Sequence, residues 1–359
     1  MTRSPRKAVF VIGAGASHEA GLPTGDKLKA GIHERLAIRY EDEERRGTRR
    51  LSDRQIYGAL VELHRRRVFE LEKLLDASER ISDGILQSAS IDNYLNSQAG
   101  EAEIEICAKL TIARLISEAE QSSRLALTRP RNRTPLLDIS RITETWFQRL
   151  FFLINEDSGP DGVARRLESM TFVIFNYDRC VEHYLYHAIK QFFPTLTTQN
   201  VAEIVGSARF HHPYGSIGEL PWRTQPQHQR QRFDFGGELG PPDTLIALAK
   251  EVRTFGETTA QDAAELNQVR AVIREADHLV FLGFAFHRLN MRLLFDEVPK
   301  DLRRGGIYAS GWGLPDPAVI AIREELANCW SVQPPNVNLD SKSTCLKLLT
   351  DYERQLSMR

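Results

Sequence analysis

The sequence predicts an α/β protein whose parallel sheet is covered by helices on both faces. Five short apolar runs carry the first part of that reading: Ala8 to Ile12, Thr171 to Phe175, Ala208 to His211, His278 to Leu282, and Gly306 to Ala309. Each ends at polar or glycine-rich punctuation. They are continuous rather than alternating, as strands buried on both faces are. Helical periodicity separates most of them, which fits a doubly wound arrangement.

Composition bounds the rest. A chain of 359 residues suggests about two domains and is long enough to bury a large core without staples. With 42% hydrophobic and 26% charged residues, it is not a disordered chain. The formal net charge of -1 gives no general coat for nucleic acid. Cys107, Cys180, Cys329 and Cys345 form no C-x-x-C pair, so neither a zinc ribbon nor a disulfide framework is written here. Scattered thiols fit a reducing, cytoplasmic compartment. No apolar stretch approaches the ~18 residues that a membrane span needs. The basic start, Met1 to Lys7, imitates a signal peptide, but its apolar run breaks at Gly13 and reads as a first strand.

The gap between the first two strands is too long for one crossover. Residues 28–167 read as an all-helical insertion after the first βα unit. Ser52-x-x-Gln55 has the form of a capping box. Ile56, Leu60 and Leu63 then share a face, as do Leu71, Leu74 and Leu75; Ile104, Cys107, Leu110 and Leu115 follow at helical spacing, as do Trp146, Leu150 and Leu153. The sheet domain comprises 1–27 and 168–335, and 336–359 reads as a C-terminal helix or tail. No internal repeat is visible. Arg45-Arg46, Arg49-Arg50 and Arg65-Arg66-Arg67 read as a solvated helical face or a subunit contact rather than a nucleic-acid site. Pro130 to Pro135 reads as a loop, and Gly218 to Pro242 as a long mobile one beside the third strand.

Chemistry gathers at the strand ends. Gly13-Ala14-Gly15-Ala16-Ser17 follows the first strand. Glycines there allow a tight turn and close approach of a pyrophosphate to a helix N-terminus. The same pattern is expected of a βα turn packed with small residues. His18 replaces the third glycine of the dinucleotide fingerprint, and no acidic residue closes a second strand ~20 residues on, which argues against a hydride-transfer dehydrogenase. Gly21-Leu22-Pro23 comes next. The later strands end in Asn176-Tyr177-Asp178, in His211-His212-Pro213-Tyr214-Gly215-Ser216, and in Gly283-Phe284 with His287 and Asn290 beyond. In a parallel sheet, ligand groups collect at these carboxyl ends.

This order of motifs resembles the sirtuin-like (Sir2-like) NADase domains of bacterial anti-phage defence, over nearly the whole chain. Ser90-Ile91-Asp92-Asn93-Tyr94-Leu95 also looks like a segment those domains carry. A stand-alone chain of this size is most similar to the Sir2 partner of a HerA-type helicase. The resemblance implies a Rossmann-like, sirtuin-like sheet and NAD as substrate. It implies hydrolysis of the nicotinamide–ribose bond for NAD depletion (abortive infection), in a homo-oligomer or a HerA-type ATPase assembly. It implies Gly13, Ala14, Gly15, Ala16, Ser17, Pro23, Tyr214, Gly215, Ser216, Gly283, Phe284 and Asn290 around NAD, and Asn176, Asp178 and His212 as catalytic residues. No zinc or other metal is expected, because the four-cysteine module of deacetylating sirtuins is absent. Tyr214 stands where the family places histidine; His212, two residues earlier, shares its face on a strand and can present an imidazole near the same cleft.

Each group has work to do in such a reaction. The transition state is oxocarbenium-like, so positioning and electrostatics dominate. Asn176 can orient water or ribose, Asp178 can accept ribose hydroxyls, and a histidine can take a proton. Other readings stand beside these: a capped turn for Asn176 and Asp178, one buried and one surface imidazole for His211 and His212, helix capping for His287 and Asn290, and a solvent-facing His18. For the whole chain, the competing reading is a non-catalytic NAD- or ADP-ribose-binding scaffold that regulates a HerA-type ATPase or nuclease.

Overall fold

Strand β1 (Ala8–Ile12) is the centre from which the sheet is built. The computed structural model describes residues 6–40, 49–128, 135–156, 159–223, 230–254, 260–296 and 305–357. The remaining strands are β2 (Ile38–Tyr40), β3 (Arg49–Leu51), β4 (Leu127–Thr128), β5 (Leu136–Leu137), β6 (Met170–Ile174), β7 (Arg209–His211), β8 (His278–Leu282), β9 (Gly306–Ser310) and β10 (Val337–Asp340). Six of them form one parallel sheet in the order β10-β9-β8-β1-β6-β7. Ala8 is in register with Met170 on one side and His278 on the other. The chain lays β6 and β7 to one side of β1, then returns to lay β8, β9 and β10 on the other. That is the doubly wound, Rossmann-like order, and its direction reverses between β1 and β8.

Both faces of the sheet are buried, which explains the continuous apolar runs. Val9, Val11, Val173, Leu279 and Phe281 enter one core, and Phe10, Ile12, Phe172, Ile174, Val280 and Leu282 enter the other. The first core runs on into the insertion through Leu28, Ile32, Ile56, Leu60, Leu74 and Leu110. The second takes the helices Trp146–Asn155, Cys180–Phe192 and Cys345–Asp351. The Trp146 indole N–H donates to the Ala16 carbonyl at 2.9 Å. The Trp146 helix, within the stretch read as insertion, therefore covers the sheet itself.

Several expectations change. The insertion is not all-helical: β2 pairs with β3, and β4 with β5, as short antiparallel ribbons. The stretch read as a C-terminal helix or tail supplies β10, an edge strand with Val337 and Leu339 buried. Asp53, not Ser52, caps the helix Arg54–Arg65, accepting from the Gln55 and Ile56 amides. Arg49 pairs with Glu72, Asp76 and Glu79, and Arg66 with Glu62 and Asp243, so these arginines have intrachain acids to meet. Arg45-Arg46 and most of Pro130–Pro135 lie outside the described residues. The described flanks of the long loop are anchored, with Leu220, Phe233 and Leu239 buried. No helix among the described residues is long and apolar enough to cross a membrane.

A buried ion pair joins insertion and sheet. Glu120, near the end of the helix Ala102–Ser122, meets Arg179, which follows β6; their side chains are 0% and 2% exposed. The guanidinium also donates to the Phe233 carbonyl at 2.6 Å, and Glu120 accepts from the Gly236 amide at 3.0 Å. Removing one partner strands the other charge. We expect Glu120→Ala to lower unfolding free energy by about 3–5 kcal/mol in urea titration. A loss below about 1 kcal/mol, the range of a surface pair, would contradict this assignment.

Candidate functional site

The glycine turn and the exit from β8 meet where the sheet changes direction. The Gly13 amide donates to the Leu282 carbonyl at 2.9 Å, and the Gly15 amide to the Gly283 carbonyl at 3.0 Å. Gly283 has φ of +57°, a conformation that disfavours any side chain. A Cβ on Gly283 would lie 1.9 Å from the Ala16 nitrogen, and one on Gly13 would lie 2.4 Å from the Gly283 oxygen. The glycines thus let two strand exits cross backbone to backbone. The Gly15 amide, one of the donors expected for a pyrophosphate, already has a carbonyl partner. Ala14 and Gly15 remain half-exposed, while Ala16 and Ser17 are buried.

Asn176 and Asp178 grip this turn from beneath. The Asn176 amide nitrogen donates to the Gly13 carbonyl at 3.0 Å and to the Ser17 hydroxyl oxygen at 2.8 Å. Ser17 in turn bonds the Asp178 carboxyl, which also accepts from the Cys180 amide at 3.1 Å. Burial pushes the Asp178 carboxyl above its usual range against the pull of those bonds. The structure brings Ser17, Asn176 and Asp178 into one network, with the Asn176 amide nitrogen directed at the turn.

The histidines separate. His211 ends β7 and faces the helix Ala260–Glu275, 3.9 Å from Glu265; burial pushes its imidazole down. His212 turns the other way, and its Nε2 lies 2.8 Å from the Glu182 carboxylate. Its Nδ1 lies 3.4 Å from the Asn176 carbonyl oxygen. Burial tends to raise the Glu182 carboxyl, but His212 and Arg223 outweigh it and bring it down to about 2. His212 and Tyr214 do not share a face. The strand stops at His211, and the Gly215 amide closes a turn onto the His212 carbonyl at 2.9 Å.

Tyr214 points instead into the first core, where its hydroxyl donates to Asn290 at 2.6 Å. Its ring packs near Phe175 and Tyr177, with centroids 5.8 and 6.4 Å away, and Phe284 packs on Phe175 at 5.1 Å. Gly215 and Ser216 anchor the neighbouring loop. A Cβ on Gly215 would strike the Glu251 carbonyl, and the Ser216 hydroxyl oxygen accepts from Arg230 at 2.9 Å. Pro23 borders a cavity of about 300 Å³ between the Gly21–Pro23 loop and Leu115 and Glu118 of the helix Ala102–Ser122. His287 precedes the helix Arg288–Leu294, and burial together with Lys29 lowers its imidazole. His18 is exposed.

One site residue carries no role in the sequence reading. Asp92 lies in the first turn of the helix Ile91–Ser97, whose start Ser90 caps by accepting from the Asn93 amide. Its carboxylate accepts from the Tyr177 hydroxyl at 3.2 Å, across 85 residues of sequence. Burial pushes this carboxyl up to about 6. The segment Ser90–Leu95 was visible as a motif, but nothing in the sequence marks Asp92 as its end in the crevice. Asp92, Tyr177, Tyr214 and Asn290 are thus linked through two hydrogen bonds and the packing of the two tyrosine rings, both of which are buried. Among the described residues, no group of three or more His, Cys, Asp or Glu side chains is placed to hold a metal ion.

No family model matches the chain, and neither does any curated protein. A solved structure described as a Sir2 homolog–NAD complex is similar over 98% of this chain and 90% of that one. Its sequence identity is 13% and its TM-score 0.41.

Two outcomes follow from this geometry. A side chain on Gly15 would meet the Gly283 backbone at 2.9 Å. Gly15→Val is expected to destabilise the fold itself by about 2 kcal/mol or more, read as a lower melting temperature without ligand. Asp92 gives a pH signature. Its carboxyl holds a proton in the folded chain between 3.8 and about 6, so stability falls as pH rises through that window and the cost persists above it. Asp92→Asn should therefore stabilise the protein at pH 8 by about 1 kcal/mol after solvent screening, and have little effect at pH 4. Equal effects at both pH values would contradict a raised carboxyl.

Proposed function

We propose that the protein hydrolyses NAD+ at the nicotinamide–ribose bond, giving nicotinamide, ADP-ribose and a proton. The observation that carries this reading is the Asp92 carboxylate, set against two tyrosines at the switch point of a doubly wound sheet. A carboxyl raised by burial beside the carboxyl ends of parallel strands is the kind of group that functional sites use, and this supports the reading. The motif resemblance supplies the substrate. Nicotinamide leaves as a neutral base, so the protein has mainly to position the dinucleotide and stabilise positive charge on the ribose. In this proposal Asn176 and Asp178 fix the turn beneath the scissile bond. His212, oriented by Glu182, accepts the proton from attacking water. Gly13, Ala14, Gly15, Ala16, Ser17, Pro23, Tyr214, Gly215, Ser216, Gly283, Phe284 and Asn290 line or support the nucleotide. We place the activity in anti-phage NAD depletion in the bacterial cytoplasm, within a homo-oligomer or an assembly with a HerA-type ATPase. That setting rests on the motif resemblance alone.

A second reading is a binding scaffold that senses NAD or ADP-ribose and regulates such a partner. It is favoured by His212, whose two ring nitrogens both face acceptors inside the protein, and by Tyr214, whose hydroxyl is tied to Asn290. Nicotinamide release from NAD by the purified protein, alone and with a ring ATPase partner, separates the two. Hydrolysis predicts that Asn176→Ala lowers kcat by about 100-fold or more while NAD affinity changes only a few-fold. His212→Ala should behave likewise, and wild-type turnover untouched by either change would defeat the enzyme assignment. Binding without turnover, with turnover gained in Tyr214→His, would establish the scaffold.

A further inference from the structure

Asp92 sits at the second position of a short helix, where an acid is favoured by the exposed amides of the first turn. That preference does not account for its direction. The carboxylate leaves its own helix and meets the Tyr177 hydroxyl, one residue beyond Asn176 at the end of β6. Tyr177 packs beside Tyr214, which holds Asn290 from the segment beyond β8. One carboxylate from the insertion thus joins residues from three strand ends around the crevice. The other acids near the crevice floor are differently engaged: Asp178 bonds Ser17 and the Cys180 amide, and Glu182 bonds His212.

We infer that Asp92 is the substrate-contacting residue that binds the hydroxyl pair of the ribose losing its base. This rests on the nucleotide reading above and assigns one part of it. A carboxylate has only acceptors, so it pairs with hydroxyl or amine donors and repels phosphate. A vicinal diol offers two donors to its two oxygens. The same charge lies where an oxocarbenium ion develops, which phosphate-binding residues do not need. Tyr177 acts as a positioning residue, holding the carboxylate toward the sheet until the diol takes its place or joins it. The rings of Phe175, Tyr177, Tyr214 and Phe284 pack together in the core and fix the two tyrosine hydroxyls in place.

The test compares ADP-ribose with ADP, which lacks the second ribose, by calorimetry on wild type, Asp92→Ala, Asp92→Asn and Tyr177→Phe. Melting curves establish that each variant is folded. Wild type is expected to bind ADP-ribose more tightly than ADP. Asp92→Ala should weaken ADP-ribose at least ten-fold and leave ADP within two-fold. Asp92→Asn, which keeps one acceptor oxygen, should fall between. Tyr177→Phe should weaken ADP-ribose less than Asp92→Ala does, again sparing ADP. Equal weakening of both ligands in folded Asp92→Ala, or none of either, overturns the ribose assignment while leaving nucleotide binding intact. Failure of wild type to bind either ligand overturns the nucleotide reading itself, and the assignment with it.

Discussion

The Glu120–Arg179 pair is the constraint from which the remaining architecture hangs. Both side chains are withdrawn from water, and an unpaired charge there would be untenable. Arginine suits the place because its planar fork has several donors to distribute. It meets both oxygens of Glu120 and the carbonyls of Phe233 and Asp234, and lies over the Phe233 ring. Glu120 brings the end of a 21-residue insertion helix, Arg179 the end of β6, and Gly236 the loop beyond β7. Three stretches distant in sequence are fixed by one charge pair. Asp178 is the neighbouring residue, so the pair also sets the floor of the crevice. Its worth lies less in net stability, which desolvation erodes, than in the arrangement it enforces.

A second constraint is the crossing of two backbones. Gly13, Gly15 and Gly283 work as one set, since a methyl group on any of them would strike another's main chain. The dinucleotide-like pattern after β1 therefore has a packing cause that holds whether or not a phosphate binds. It places the β1 and β8 exits in contact at the switch point, where a doubly wound sheet leaves its crevice. The tight-turn explanation therefore accounts for the glycine signature by itself. The fold needs these glycines for the two strand exits to cross.

What could be read from the sequence follows the physics of each element. β1, β6 and β8 were legible because strands buried on both faces are continuous apolar runs. β10 was not, because an edge strand alternates: Val337 and Leu339 point inward while Asn338 and Asp340 dilute the signal. The strand-end motifs identified Asn176, Asp178, Tyr214 and Asn290 as neighbours of one crevice edge, since topology alone puts them there. Their directions were illegible. A turn at 212–215 sends His212 to Glu182 and Tyr214 to Asn290, and no periodicity announces where a strand stops. Arg179 and Glu120 gave no signal either, because a buried ion pair depends on a partner 59 residues away. Asp92 was hidden for the same reason: helix propensity explains its position and says nothing of Tyr177.

The polar groups fall into two layers with different duties. Ser17, Asn176, Asp178, His212 and Glu182 are buried or nearly so and bond mostly to one another or to the glycine turn. Asp92 and Asn290 are only partly buried and accept from the hydroxyls of Tyr177 and Tyr214, whose rings are buried. The bonds of the more buried set are ones that the fold itself uses to hold the glycine turn and the segment after β7. The NAD+ hydrolysis proposed above would tolerate that division, because nicotinamide leaves as a neutral base and the step needs geometry and charge more than strong acid or base. The sheet's strand ends supply Tyr177, Tyr214 and Asn290, and a segment rooted outside the sheet brings the Asp92 carboxylate to them.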